Sequence, residues 1–171
     1  VVFHSEARER LMKGVDTLAN SVRATLGAKG RNVMISQGMN SASVTNDGVT
    51  VARSMEFDDP IENMGAYFMK EVGSKTEEIA GDGTSTAIIL AQSMLQMGLK
   101  YLAAGANPMD LKRGMLIASE AVLDKIISDS IEIPFDSKEV SHVATISANN
   151  DKKLGDLIAT RANETSSERG Y

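Results

Sequence analysis

Apolar residues recur at three- and four-residue steps over most of the chain, the spacing that places them on one face of a helix. The first such segment covers residues 5–26 and ends at the glycine-containing run 27–30. Its apolar stripe consists of Ala7, Leu11, Val15, Leu18, Val22 and Leu26. The pattern predicts an amphipathic helix with this stripe against a core.

Two short segments after that helix lack helical spacing. Residues 31–36 and 42–45 read as strands, and the glycine-containing turn 37–40 between them predicts a hairpin. The run Asn46-Asp47-Gly48 predicts a second tight turn. Residues 49–52 follow as further apolar chain, to which the pattern assigns no element.

Three long helices have clear start signals. Asp59-Pro60 and Asn107-Pro108 each place an N-cap residue before a proline at the first helical position. They predict helices 60–80 and 108–128, with a further helix from Thr84 or Ser85 to about Leu102. The side chains predicted to face inward are Ile61, Met64, Phe68, Val72 and Ile79, then Leu90, Met94 and Leu99, then Leu111, Met115, Val122 and Ile126.

Pro134 marks the predicted boundary between two domains, residues 1–133 and 134–171. Beyond it the pattern predicts a short helix from Ser137 and a longer one over 151–162. Residues 163–171 lack an apolar pattern and are expected to be frayed.

Composition excludes several classes of function. The 171 residues include no cysteine and two histidines, which excludes disulfides, thiolate zinc sites and histidine metal clusters. The net charge of −5 argues against a nucleic-acid partner bound through a general basic field. No apolar run approaches the length of a membrane span, and no signal peptide is visible. A cytosolic or organelle-matrix protein is therefore expected.

The strongest chemical signal is the run Ala-Gly-Asp-Gly-Thr-Ser-Thr-Ala at 80–87, before a predicted helix. Its two glycines allow a tight turn, and the hydroxyl residues 84–86 lie at the positive end of the helix dipole, a combination suited to phosphate. Asp82 would repel phosphate unless Mg²⁺ lay between them. A helix C-cap followed by an N-cap uses the same residue types, and the spacing alone leaves both interpretations open.

Two weaker candidates accompany this run. Residues 25–30 form a helix end that turns through two glycines, which is most often an ordinary cap. Asp47 lies in common turn chemistry, and its interest is that Asp47 and Asp82 could face one metal–phosphate site. Neither GxxxxGK[ST] nor the dinucleotide fingerprint is present, so a nucleotide would be bound in another fold.

Together these segments resemble the group I chaperonins of the GroEL type, from residue 2 to about residue 159. The matching blocks are TLGAKGRNV (25–33), NDGVTVAR (46–53), ENMGA (62–66), AGDGTSTA (80–87), AAGANPMDLKRG (103–114) and ATISANND (144–151). The resemblance implies a mainly α fold, a helical bundle with a small β-hairpin. Residues 1–133 would be the first half of the equatorial ATPase domain and 134–171 the start of the intermediate domain, with the apical domain and second equatorial half absent.

The resemblance also implies an ATP-dependent protein-folding subunit. Identical subunits would form a ring that encloses unfolded client polypeptides in the cytosol of a bacterium or phage-infected cell, with the mitochondrial matrix also open. A lid co-chaperonin stays open as a further partner, and no nucleic acid or membrane is expected. The cofactors implied are ATP, Mg²⁺ and K⁺.

Individual roles follow from the matching positions. Those that correspond to the loops around the nucleotide and its phosphates are Thr25, Leu26, Gly27 and Ala28, then Gly83, Thr84, Ser85 and Thr86. Asp82 corresponds to the Mg²⁺ ligand, and Asp47 to a catalytic carboxylate that supports hydrolysis. Ile146 corresponds to an apolar contact on the base side. Potassium would lie near Thr25, Asn46 and Ser85.

Several positions depart from the family pattern. Ala28 replaces the usual proline, Ser85 replaces threonine, and Asn46 replaces a lysine near the triphosphate, which predicts weaker nucleotide binding. The alternative function is therefore a truncated or divergent ring component with little ATPase activity, and a small helical phosphate-binding module is a remote third. A fragment, part of a longer chain and a truncated natural relative all fit the length.

Overall fold

The computed structural model describes residues 4–27, 29–36, 41–134 and 136–169, so Ala28 and the hairpin turn 37–40 lie outside the described residues. The fold is mainly α with one two-stranded antiparallel sheet, as predicted. Within the described part the elements are α1 (His4–Arg23), β1 (Val33–Ser36), β2 (Ala42–Thr45), α2 (Gly48–Ser54), α3 (Pro60–Ala80), α4 (Thr84–Ala103), α5 (Pro108–Asp129), α6 (Lys138–Ser147) and α7 (Lys152–Arg169).

The chain divides into two compact units, Val1–Arg113 and Gly114–Tyr171. In the second unit α6 packs against α7, and a Cβ atom on Gly155 would lie 2.2 Å from the Thr145 Oγ1 atom. The domain boundary expected at Pro134 stays a prediction. Among the described residues, no helix combines the length and apolar character needed to cross a membrane.

The core of the first unit forms where α1 packs against α2, α3 and α4. Alternate residues of β1, Val33 and Ile35, pack against its edge, and the hairpin pairs Val33 with Thr45. Its buried side chains are Val15, Leu18, Ala19, Val22, Val51, Ala52, Ala66, Met69 and Ile88. The stripe predicted for α1 is confirmed at three of these positions, whereas Leu26 lies beyond the helix and is exposed.

The buried face of α3 differs from the prediction. Met64, Phe68 and Ile79 are exposed, Ile79 by 86%. The residues that α3 buries are Gly65, Ala66, Met69 and Gly73. Small residues allow α1 and α3 to touch through their backbones, since a Cβ atom on Gly65 would lie 2.1 Å from the Leu11 carbonyl oxygen. The prediction was wrong because it assumed that the largest apolar side chains of α3 would lie on its buried face.

The inward faces predicted for α4 and α5 also need correction. Leu90 and Met94 are exposed, while α4 buries Ile88 and Gln92. Gln92 is buried because its polar partners lie on α1. Within the described residues α5 has no buried residue, so Val122 and Ile126 are exposed as well.

Two further segments were assigned wrongly from the sequence. Residues 48–54 form the helix α2 rather than a turn followed by unassigned chain, because the Asp47 side chain caps its first backbone N–H groups. At the other end, α7 continues to Arg169 where fraying was expected. The predicted N-cap at Asp59 is confirmed: its Oδ1 atom accepts from the Ile61 and Glu62 N–H groups.

Candidate functional site

Three separate segments of the first unit meet around one pocket of about 220 Å³. They are the loop after α1, the residues that lead into α2, and the turn between α3 and α4. The lining residues are Thr25, Leu26, Gly27, Asn46, Asp47, Gly48, Asp82, Gly83, Thr84, Ser85 and Thr86. The structure therefore brings both predicted phosphate loops and both predicted carboxylates together.

The turn between α3 and α4 depends on two left-handed glycines. Gly81 (φ 70°) ends α3, and its N–H group donates to the Glu77 carbonyl oxygen over 2.8 Å. Gly83 (φ 79°) is the N-cap residue of α4, and its N–H group donates to Asp82 Oδ1 over 2.7 Å. Residues with a Cβ atom rarely adopt this conformation. The turn therefore joins the C-cap of α3 to the N-cap of α4, and the residues from Asp82 onward line the pocket.

The first turn of α4 presents unsatisfied donors to this pocket. The first hydrogen bond inside the helix runs from the Ala87 N–H group to the Gly83 carbonyl oxygen, 2.9 Å. The N–H groups of residues 84–86 therefore have no acceptor within the helix. Gly83, as N-cap, has no side chain that could accept from them. Backbone donors and the positive end of the helix dipole together favour an anion here.

Asp47 is held at the start of α2 by several hydrogen bonds. Its carboxylate accepts from the Thr50 N–H group at 2.9 Å, from the Thr50 hydroxyl and from the Val49 N–H group. Burial raises the pKa of Asp47, but these hydrogen bonds and the nearby Arg53 charge outweigh it, so the net pKa is lowered. Asp47 is therefore a fixed, ionised carboxylate beside the pocket.

The loop after α1 is closed by its own backbone. The Gly30 N–H group donates to the Gly27 carbonyl oxygen and Arg31 to Ala24, both over 2.8 Å. Gly27 has φ 77°, a conformation that suits glycine. The Thr25 hydroxyl donates to the Val22 carbonyl oxygen over 2.8 Å, which ties the loop to the end of α1.

The donor set fits Mg²⁺ together with phosphate better than a metal held by protein alone. Asp47 and Asp82 supply two carboxylates to one pocket, and the residues 84–86 add three hydroxyl groups. Over the described ranges, no group of three or more His, Cys, Asp or Glu residues could hold a metal ion. Mg²⁺ is commonly bound by one or two carboxylates and completed by phosphate oxygens and water.

Two residues stand apart from the sequence predictions. Ile146 lies on α6 in the second unit, 71% exposed, beside a shallow pocket that Lys138 and His142 also line. Gly48 lines the first pocket and was not predicted as a site residue. The sequence did offer a signal for Gly48, because a glycine directly after a capping aspartate permits close packing of the helix that follows. Here that packing is against Ser85.

Comparisons with known proteins agree with this arrangement. The sequence model of the TCP-1/cpn60 chaperonin family matches residues 18–169. The chain is 48% identical over 168 residues to Chaperonin GroEL 2 of Albidiferax ferrireducens. The aligned region covers 98% of this chain and 31% of that protein. The chain thus spans about a third of the length of this curated relative.

Two solved structures share the fold. The chaperonin gp146 from the bacteriophage EL 2 (Pseudomonas aeruginosa), crystallised in the presence of ATP-BeFx, aligns with a TM-score of 0.79 and 31% identity, over 95% of this chain and 28% of that one. A group III chaperonin in the open state aligns with a TM-score of 0.81 and 24% identity, over 95% and 32%. The chain therefore belongs to the TCP-1/cpn60 chaperonin family and is of the GroEL type.

Proposed function

We propose that the chain forms the nucleotide-binding part of an ATP-dependent protein-folding chaperonin subunit. The observation that carries this proposal is the convergence of both glycine-containing loops and of Asp47 and Asp82 on one pocket at the N-terminus of α4. A phosphate chain requires donors and charge compensation at one point, and this pocket has both. The related phage chaperonin was crystallised in the presence of ATP-BeFx.

In this proposal, different pocket residues bind the phosphates, the rest of the nucleotide and the metal ions. The N–H groups and hydroxyls of residues 84–86 bind phosphate oxygens, and the loop 25–27 packs against the nucleotide. Asp82 and the phosphates hold Mg²⁺, which supplies charge neutralisation. The Thr25 and Ser85 oxygens with Asn46 would take K⁺. Gly83 completes the loop before α4.

Asp47 is proposed to support hydrolysis. Its carboxylate is ionised and already oriented by the first turn of α2, so it is prepared to accept a hydrogen bond from an attacking water. Phosphoryl transfer to water needs positioning and charge stabilisation rather than a covalent intermediate on the protein. The chemistry is therefore ATP hydrolysis by oriented donors and carboxylates.

The partners in this proposal are identical subunits in a ring and unfolded client polypeptides, with a lid co-chaperonin left open. The relatives support the assembly only as members of the same family. The cytosol is the proposed compartment. A native mass spectrum of the protein from its own source tests the ring: a multi-subunit assembly supports it, whereas a monomer of 18.3 kDa contradicts it.

Asn46 favours a second candidate, a divergent ring component with little ATPase activity. It lines the pocket with a neutral amide where the family pattern has a lysine. Loss of one positive charge beside a triphosphate weakens binding. This candidate keeps the fold and the ring but hydrolyses ATP poorly. Turnover by the ring assembly from its own source, not by this chain alone, distinguishes it from the first.

Isothermal titration of ATP into the chain, with and without Mg²⁺, tests nucleotide binding. We expect Mg²⁺-dependent binding that Asp82→Ala abolishes, and slow hydrolysis or none by the chain alone. Asp110→Ala is the control, since Asp110 is likewise an exposed aspartate near the N-terminus of a helix but does not line the pocket. No ATP binding by the unsubstituted chain, or equal binding by Asp82→Ala, overturns the proposal.

A further inference from the structure

A buried amide connects α1 to α4 away from the pocket. Gln92 of α4 is only 2% exposed. Its Oε1 atom accepts from the Arg23 guanidinium over 2.8 Å, and its Nε2 atom donates to Asp16 Oδ1 over 2.7 Å. A second donation reaches Asn20 Oδ1 at 3.4 Å. All three partners lie on one face of α1, because they are spaced by four and three residues.

This network determines one orientation of the amide. The Gln92 carbonyl faces the positive Arg23, and its NH₂ group faces the negative Asp16. Gln96, one turn later on α4, also donates to Asp16 over 2.7 Å. The surrounding apolar contacts are not directional and tolerate small slides of one helix along another. Hydrogen bonds between fixed partners do not tolerate such slides, because they are directional. The network therefore sets the axial register of α1 against α4.

Both helices lead from this network into the pocket. Arg23 is the last residue of α1, two residues before Thr25. Gln92 lies eight residues after Thr84 on the same helix, about 12 Å along its axis. A helix transmits an axial shift along its length with little loss. The register at Gln92 therefore sets the separation between the loop 25–27 and the first turn of α4.

We propose that Gln92 is a positioning residue for nucleotide phosphates, acting through the register of α1 against α4. This inference rests on the proposed function, because it requires that the pocket bind a nucleotide. The amide touches no phosphate. It keeps the donors of the loop 25–27 and of residues 84–86 at a separation that suits one phosphate chain, and an error of about 1 Å is enough to impair such a site.

The experiment compares two substitutions on α4 in the whole chain, with Mg²⁺–ATP as the probe. Gln92→Met keeps the side-chain volume and removes the hydrogen bonds. Arg23 is exposed and Asp16 half-buried, so water can solvate both charges in this variant. Ile88→Val is the matched control: Ile88 is buried on the same helix but packs against Gly73 of α3. It lowers stability without touching the network.

We expect Gln92→Met to raise the Kd for Mg²⁺–ATP by roughly 2- to 30-fold, the range seen for substitutions that act on a site from outside it. Ile88→Val should leave Kd unchanged even if it lowers Tm as much as Gln92→Met does. Equal Kd values for Gln92→Met and the unsubstituted chain, or Kd values that follow Tm in both variants, overturn the inference alone. A chain that binds no ATP overturns the proposed function, and the inference with it.

A charge exchange tests the network without removing it. Gln92→Glu places a carboxylate against Asp16, and the repulsion should raise Kd. Adding Asp16→Asn restores a donor facing residue 92, while Arg23 still pairs with the new carboxylate, so Kd should recover. Recovery of Kd in the double variant supports the inference where Kd does not simply follow Tm across the three chains. A double variant that binds no better than Gln92→Glu contradicts the inference.

Discussion

Gly48 lies so close to Ser85 that a Cβ atom on residue 48 would be 2.0 Å from the Ser85 Oγ atom. The same Cβ would lie 3.1 Å from the Val22 Cγ1 atom, so the first residue of α2 contacts the end of α1 and the start of α4 together. Asp47 is beside Gly48 and caps α2. This close approach is what brings Asp47 to the N-terminus of α4.

Gly48→Ala should therefore destabilise the fold by about 1–3 kcal/mol, the usual cost of adding volume to a packed contact. Urea unfolding measures the loss. Ser85→Ala removes the nearest atom, so the double variant should be less destabilised than the sum of the two single variants. Additive losses would mean that the clash with Ser85 is not what excludes a side chain at residue 48.

Asp47→Asn should separate hydrolysis from folding. Asparagine retains an oxygen that accepts from the first N–H groups of α2, so the helix cap and Mg²⁺–ATP binding should persist. Turnover should fall, because the ionised carboxylate is gone. Asp47→Ala should in addition cost about 1 kcal/mol of stability through the lost cap. A phosphate-release assay on the ring assembly, where turnover is expected, checks the first effect, and thermal unfolding checks the second. Unchanged turnover of the assembly in Asp47→Asn removes Asp47 from the mechanism.

The pair of Asp59 and Arg10 predicts a stability loss in acid. The hydrogen bond from Arg10, ahead of the opposing effect of burial, holds the pKa of Asp59 below its ordinary value of 3.8. Because the folded pKa is the lower one, the ionised carboxylate stabilises the fold above pH 3.8, and this contribution is lost as pH falls through the folded pKa.

Asp59→Asn keeps the N-cap acceptor of α3 but loses the charge. Its Tm should be lower at neutral pH and should approach that of the unsubstituted chain in acid. Thermal unfolding from pH 7 down to about pH 2 follows this convergence. Asp58→Asn, at an exposed neighbouring residue, is the control and should give the same dependence of Tm on pH as the unsubstituted chain. Parallel Tm curves for Asp59→Asn and the unsubstituted chain would contradict the prediction.

The contact between α1 and α3 should tolerate no side chain at Gly65. The clash there is with the Leu11 carbonyl oxygen, a backbone atom that cannot rotate away, so Gly65→Ala should lose about 1–3 kcal/mol or more. Gly98→Ala is the matched control in α4. Its nearest atom is the Leu111 Cδ2 at 3.8 Å, so alanine should stabilise by about 0.5–1 kcal/mol. Equal effects at both positions, measured by urea unfolding, would refute this packing.

Asn46→Lys should tighten Mg²⁺–ATP binding. A solvent-exposed charge contributes about 0.5–1 kcal/mol, which corresponds to a roughly 2- to 5-fold lower Kd, and salt should reduce the gain. Titration at two salt concentrations measures it. Asn32→Lys adds the same charge at an exposed asparagine that does not line the pocket and should have less effect. Unchanged affinity in Asn46→Lys would show that residue 46 does not act on the phosphates.

The local features of this protein could be predicted from its sequence. Asp59-Pro60 and Asn107-Pro108 mark the starts of α3 and α5, and Gly81 ends α3, because caps and left-handed glycines act on backbone groups only a few residues away. The run 80–87 was a candidate phosphate-binding loop on the same local grounds, whereas the role expected for residues 25–28 rested on the resemblance. The matching blocks together indicated the family that the comparisons show.

The buried faces and the contacts between distant segments could not be predicted in this way, because they depend on how the elements pack. A face becomes buried when another element approaches it. One close approach in α3 occurs at Gly65, a position that the apolar pattern ignores. The contact of Gly48 with Ser85 and the burial of Gln92 both depend on partners distant in sequence. The pocket arises from such contacts, since no periodicity along a chain encodes the distance between segments that fold against each other.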